Sequence, residues 1–201
     1  SLSLRRRSVE VQRMLLIGVM ISFVTSSAVL FIEAIAHPED LQKIILWSMG
    51  SLTQSDTGMV IGMAILSLLL LVVSCLFATP MNAMRLGLRG AGHLGLDTRR
   101  TVRWLFVISS LATGCSIAVA GVIGFVGLVI PHVVRITIGN DYRVVIPASF
   151  LLGGLFLLLC DLVARTIIAP NELPIGVITG ILGGLLFIVL LTRPRSRKPL
   201  L

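Results

Sequence analysis

Charge is scarce in this chain. Asp, Glu, Lys and Arg make up 13% of its 201 residues, where soluble domains carry about 25%. Against that stand 56% hydrophobic residues and a mean hydropathy of +1.02. A water-soluble fold has nowhere to hide so much apolar surface, so lipid is the expected solvent for much of it. Lysine is nearly absent: Lys43 follows Gln42 and Lys198 follows Arg197. A P-loop needs a Lys after a Gly-rich turn to reach phosphate, so nucleotide hydrolysis by that route is excluded. Cysteine and histidine are few and scattered. Cys75, Cys115 and Cys160 each lie inside an apolar run and read as small buried hydrophobes, without metal-ligand spacing. His37, His93 and His132 stand far apart and assemble no Ser/His/Asp or Cys/His set. The reading is therefore no catalytic residue and no metal site.

A starting Met is also missing. The chain opens Ser1-Leu2-Ser3-Leu4, which reads as a fragment or a processed product. Arg5-Arg6-Arg7 precedes an apolar run from Met14 to Ile35, too long for the core of a signal peptide. No internal repeat or low-complexity segment is visible.

What the chain has in abundance is apolar runs of membrane-spanning length, about 20 residues each. Met14–Ile35, Met59–Ala78, Val144–Ile168 and Ile175–Leu191 each read as one span. The stretch from Val102 to Ile138 is too long for one span and slightly short for two, and charge decides it. Two crossings place Arg5, Arg6, Arg7, Arg13, Arg85, Arg89, Arg99, Arg100, Arg103, Arg135 and Arg143 on one side, with the tail charges Arg193, Arg195, Arg197 and Lys198. Only Lys43 and Arg165 remain opposite. Loops rich in Lys and Arg stay cytoplasmic, so both chain ends are expected in the cytoplasm. The net charge of +8 thus marks membrane topology rather than nucleic-acid binding. Gly121, Gly124 and Gly127 give the chain room to reverse, with a longer helix from Val102 to about Ala120 and a short one from about Phe125 to Ile138.

The expected fold is an all-α polytopic bundle of about six spans. One outer loop starts at His37-Pro38-Glu39-Asp40, with Asp40 capping a short amphipathic helix, Leu41–Met49. The other is Ala169–Pro174. The large inner loop, Thr79–Thr98, suggests two short helical pieces separated by glycine, around Met81–Gly87 and Gly92–Asp97. Asp161 is the one ionisable group well inside a span. Charge there is costly and wants a partner or a task. Arg165 lies four residues on, on the same helix face, so a structural ion pair is expected, with a proton or cation relay as the sharper alternative. Gly153-Gly154 and Gly183-Gly184 read as close helix-packing sites.

One run is specific enough to place the chain: Gly124-Phe125-Val126-Gly127-Leu128-Val129-Ile130-Pro131-His132-Val133-Val134-Arg135. It resembles the signature of FecCD-type permeases, the membrane subunits of ATP-binding-cassette importers for iron-siderophores, haem and vitamin B12. The resemblance continues through Asp141–Pro147, Asp161–Arg165 and Glu172–Thr179. Upstream, Trp47–Leu52 and Leu94–Arg100 look similar too.

The resemblance implies a ten-span subunit of which this chain supplies the last six, as a single permease domain over residues 1–201. It implies a dimer around a central pathway for a ferric siderophore or a similar chelate, served by cytoplasmic ATPase subunits, a periplasmic or lipoprotein binding protein and a second permease subunit. The chain itself needs no cofactor, since ATP is used by the partner. Residues 79–98 become the coupling region, with Arg85, Leu86, Gly87, Arg89, Leu94 and Gly95 at the ATPase. Arg165 becomes the docking residue for the binding protein. Gly124, Gly127, Pro131, His132, Arg135, Asp161, Pro174 and Gly176 take structural or pathway roles. Two positions depart from the family pattern: Leu88-Arg89, where a Glu is usual, and Gly183-Gly184-Leu185, where Gly-Ala-Pro is usual. An ion-coupled secondary transporter, which would need no ATPase, and a structural membrane protein are the competing classes.

Overall fold

The computed structural model describes residues 2–53, 56–167 and 173–192; within these the side chains of residues 2–12, 14, 88, 89 and 191 are not described. The described residues form nine helices: α1 Leu2–Ile35, α2 Pro38–Ser48, α3 Thr57–Leu76, α4 Ala78–Met84, α5 Leu88–His93, α6 Thr98–Ala120, α7 Val126–Thr137, α8 Tyr142–Thr166 and α9 Ile175–Thr192. Most of the outer loop Ala169–Pro174 and the tail charges from Arg193 onward lie outside the described residues. The chain divides into two units, residues 1–45 and 46–201.

The first unit holds α1 and most of α2. The apolar part of α1 runs from Leu15 to Ile35, with no residue of it buried. Helix α2 begins at Pro38, where the missing N–H of proline costs nothing at a first helical position. The helix starts earlier than the sequence suggests. Asp40 therefore sits inside the first turn instead of capping it, and its carboxylate pairs with Lys43 at 3.3 Å.

In the second unit three long helices start on aspartate. Asp56, Asp97 and Asp141 accept hydrogen bonds from the backbone N–H groups of Gly58, Arg100 and Arg143 respectively. Each satisfies a donor that the first helical turn leaves unpaired. Helix α8 is the central post, packing on α3, α4, α7 and α9. Its buried residues join two clusters. Cys160 and Ala164 meet Ile175 and Ile178 of α9, and Val145 meets Ile130 and Val134 of α7, with Phe156 packed against both. Four helices, α1, α3, α6 and α8, are long and apolar enough to cross a membrane, and α7 and α9 are shorter apolar helices.

The Val102–Ile138 stretch does divide into a long and a short helix. At 12 residues, α7 rises only about 18 Å, short of the roughly 30 Å hydrocarbon core. Gly121, with φ of +71°, ends α6, and residues 121–125 run non-helical until Phe125, itself left-handed at φ +65°, starts α7. Backbone at membrane depth is tolerated where protein covers it. Here Gly121 is buried and Ile123 and Gly124 half-buried.

The loops of this unit gather at two ends. Residues 49–51, 120 and 175–176 are joined by backbone hydrogen bonds. Residues 79–85 and 140–143 are joined by side chains at the other. The chain therefore reverses between α6 and α7.

Candidate functional site

The inner-loop end is built on α4 and α5. Gly87, with φ of +89°, breaks the helix between them. The second helix covers Leu88–His93, earlier than the Gly92–Asp97 piece expected from sequence. That piece is instead a helix stop. Gly95 N–H donates to Gly92 O and Leu96 N–H to Ala91 O, with Gly95 at φ +78°. This is the Schellman arrangement, in which a left-handed residue just past the helix satisfies the last carbonyls. Ala78 and Ala91 are fully buried beneath the two helices, whereas Leu86 and Leu94 are 71% and 63% exposed. The side chain of Arg89 is not described.

Arg85, expected at a partner-facing rim, turns back: its Nη1 donates to Asn140 O at 2.8 Å. Asn82, absent from the sequence expectations, sits between two long-range partners. Its Nδ2 donates to Asp141 Oδ1 at 2.6 Å, and its Oδ1 accepts from Tyr142 N at 3.0 Å. Arg143 Nη2 donates to Thr79 Oγ1 at 3.3 Å. The backbone N–H of Arg143, then the Asn82 amide, hold the Asp141 carboxyl below its ordinary range. Arg135 stacks over the Tyr142 ring, 6.0 Å from its centroid.

A cavity of about 660 Å³ opens between α3, α6, α7 and α8, reaching Met81, Pro131, Arg135 and Tyr142. Ser149, on its wall, has a hydroxyl shielded from solvent with no hydrogen-bond partner among the described residues. His132 is half-buried on α7. Among the described residues no three His, Cys, Asp or Glu side chains group as metal ligands.

The opposite end is a backbone junction. Ser51 N–H donates to Ala120 O, Ile175 N–H to Gly50 O and Gly176 N–H to Met49 O. Glycine makes this possible. A Cβ on Gly121 would lie 2.1 Å from Trp47 O, and one on Gly176 would lie 2.2 Å from Met49 O. Deeper in α9, Gly183 receives the ring of Phe125, whose Cβ would stand 2.4 Å from an added methyl. Gly124 and Gly127, the glycines of the recognisable run, have nothing within 4 Å of such a methyl. Sequence reasoning thus found Gly176 and missed Gly50. The signal was available in Trp47–Leu52, but nothing local says what packs there.

Asp161 and Arg165 form the expected pair, with Nε to Oδ2 at 2.8 Å, the aspartate side chain 27% and the arginine 40% exposed. Next to them Leu173 N–H donates to Ala164 O, and Pro174 is half-buried at the start of α9.

Comparison with known proteins gives one answer. Residues 1–193 match the model of the FecCD transport family. The chain is 38% identical over 186 residues to the hemin transport system permease protein HmuU of Yersinia pestis, covering 92% of this chain and 56% of that protein. It is 37% identical over 193 residues to the vitamin B12 import system permease protein BtuC of Klebsiella pneumoniae, covering 96% and 58%. A solved structure of a metal-chelate type ABC transporter in an inward-facing conformation superposes with a TM-score of 0.82 at 31% identity, over 89% of this chain and 58% of that one. The chain spans little more than half the length of these relatives.

Proposed function

The chain belongs to the FecCD transport family, and from that premise we propose that it is part of the permease of an ATP-binding-cassette importer, forming one side of the pathway for a ferric siderophore or a similar metal chelate such as haem or cobalamin. The permease performs no bond chemistry. ATP is bound and hydrolysed by cytoplasmic partner subunits, and a binding protein delivers the chelate from outside. Differential binding in the two ATPase states would shift the pathway between outward and inward access.

One observation carries the coupling part of this reading. Leu86 and Leu94 are exposed just past the ends of the short helices α4 and α5, outside the apolar spans, where lipid does not cover them and a partner surface can. The sharper relay alternative for Asp161 loses support because Arg165 already neutralises it. The test is reconstitution of the permease with its ATPase and binding protein in vesicles. ATP-dependent uptake of labelled ferric siderophore, haem or cobalamin is the expected result. Uptake driven by an ion gradient without ATP would establish the secondary-transporter reading instead.

The same reading places the protein in the inner membrane, multi-pass, with both ends of this chain and α4–α5 in the cytoplasm. In a background lacking Cys75, Cys115 and Cys160, Gly92→Cys is expected to resist a membrane-impermeant thiol reagent in intact cells, and Asn171→Cys to react. Labelling of Gly92→Cys from outside would invert the topology.

Arg165 stands at the end that this topology puts outside, against the charge bias. A guanidinium has five donors and can serve Asp161 and a carboxylate of the binding protein together. Charge at such a rim governs association rate and its salt dependence. Arg165→Glu is expected to weaken binding-protein association about tenfold at low salt, with partial recovery when the partner carboxylate is reversed to Arg. Asp161→Asn is expected to lower folded yield instead. Unchanged association with a lowered yield for Arg165→Glu would leave the residue purely structural.

A further inference from the structure

We propose that Asn82 is the positioning residue that makes α4 and α8 move together, through the clamp it forms on Asp141 and Tyr142. This deepens the reading of α4–α5 as the coupling surface and rests on it. The geometry is directional. Tyr142 N–H can only donate and the Asp141 carboxylate can only accept, so one orientation of the Asn82 amide satisfies both, at 3.0 and 2.6 Å. The partners are 59 and 60 residues away in sequence.

Asn82 is the middle of three attachments. Thr79 meets Arg143, and Arg85 meets the carbonyl of Asn140. Residues 79, 82 and 85 recur every three positions and so share one face of α4. That face holds the turn before α8, while Leu86 just beyond is exposed. A partner pressing on Leu86 therefore acts on a short helix bolted to the first turn of α8. Because α8 packs on α3, α4, α7 and α9, moving its start moves the core of the second unit.

Asp141 serves two purposes at once. The same carboxylate oxygen that accepts from Asn82 accepts from Arg143 N at 2.9 Å and caps α8. Asp141 is exposed and Asn82 half-buried. Hydrogen bonds at such a site add little to overall stability, so removing the clamp should disconnect the two helices without unfolding either.

The test uses the permease assembled with its ATPase in vesicles, reading chelate transported per ATP hydrolysed. Asn82→Ala is expected to lower that ratio at least tenfold, with membrane yield and ATPase co-purification unchanged. Asn82→Asp should do the same by setting two carboxylates face to face. Amide hydrogen exchange at Tyr142 gives a readout independent of ATP, and Asn82→Ala should speed it at least tenfold. A native ratio in Asn82→Ala would overturn the proposal. Native protection at Tyr142 in Asn82→Ala would show that the clamp is not made. Failure of the unmodified permease to hold any ATPase would instead sink the importer reading, and the transmission role with it, whatever Tyr142 reports.

Discussion

Gly176→Ala is expected to remove most of the folded protein from the membrane, although it adds a single methyl group to a helical residue. Its Cβ would stand 2.2 Å from Met49 O and 2.9 Å from Val122 O. Both are backbone atoms, and neither can rotate away. The junction would have to open, breaking the bonds from Ile175 to Gly50 and from Gly176 to Met49. Overpacking of this kind costs about 1–3 kcal/mol and more where backbone must shift, a large part of a marginal stability. Gly121→Ala should be at least as damaging. Its methyl would meet Trp47 O at 2.1 Å, and its φ of +71° with ψ of −165° lies in a region that is essentially restricted to glycine. Gly124→Ala and Gly127→Ala are the controls, because an added methyl there meets nothing within 4 Å. The measurement is monodisperse yield on size exclusion after detergent extraction, with thermal stability of what survives. Losses of at least tenfold are expected for the first pair and near-native yields for the second. A native yield for Gly176→Ala would mean that the junction is looser than this geometry.

Gly95→Glu is expected to abolish transport while leaving membrane insertion intact. Two effects coincide at this position. Gly95 is left-handed at φ +78°, where a side chain costs about 1–2 kcal/mol, and it closes the Schellman cap of α5 beside the exposed Leu94. A carboxylate placed there also sets an uncompensated charge against whatever covers that leucine. Gly95→Asn separates the two, because asparagine tolerates the left-handed region far better than most residues. It should retain transport within a few-fold, where Gly95→Glu retains none. Co-purification of the ATPase locates the defect, with loss in Gly95→Glu and retention in Gly95→Asn expected. Native transport by Gly95→Glu would count heavily against α4–α5 as the coupling surface.

The parts legible in the sequence share one property: their signal is local. An apolar run and its flanking arginines lie side by side, so helix count, the division of Val102–Ile138 and the pairing of Asp161 with Arg165 could be read along the chain. The Asp161–Arg165 pair needs only the helical repeat, which puts residues four apart on one face. Helix starts were less legible. Asp40 looked like a cap, yet Pro38 took the first helical position, while Asp56, Asp97 and Asp141 became the caps of the long helices. The start of a helix depends on where the preceding chain arrives, which no short window contains.

Glycine shows the division most plainly. The sequence marks Gly124 and Gly127 by their recognisable run, and the structure leaves both with room for a methyl group. Gly50, Gly121 and Gly176 carry the tight approaches, because three loops separated by some 50 to 125 residues converge on one point. Asn82 is the same case in polar form. On its own it is one amide in a short helix, and its two partners arrive from the far end of α7. The sequence by itself determined that this chain needs lipid around it, where its long apolar helices lie and which family they resemble, because hydropathy, charge and motif are properties of neighbours in the chain. Only the tertiary structure decided which glycines cannot change and how α4 is fastened to α8, because steric contact and hydrogen bonding depend on distances of a few ångströms between residues that the chain keeps far apart.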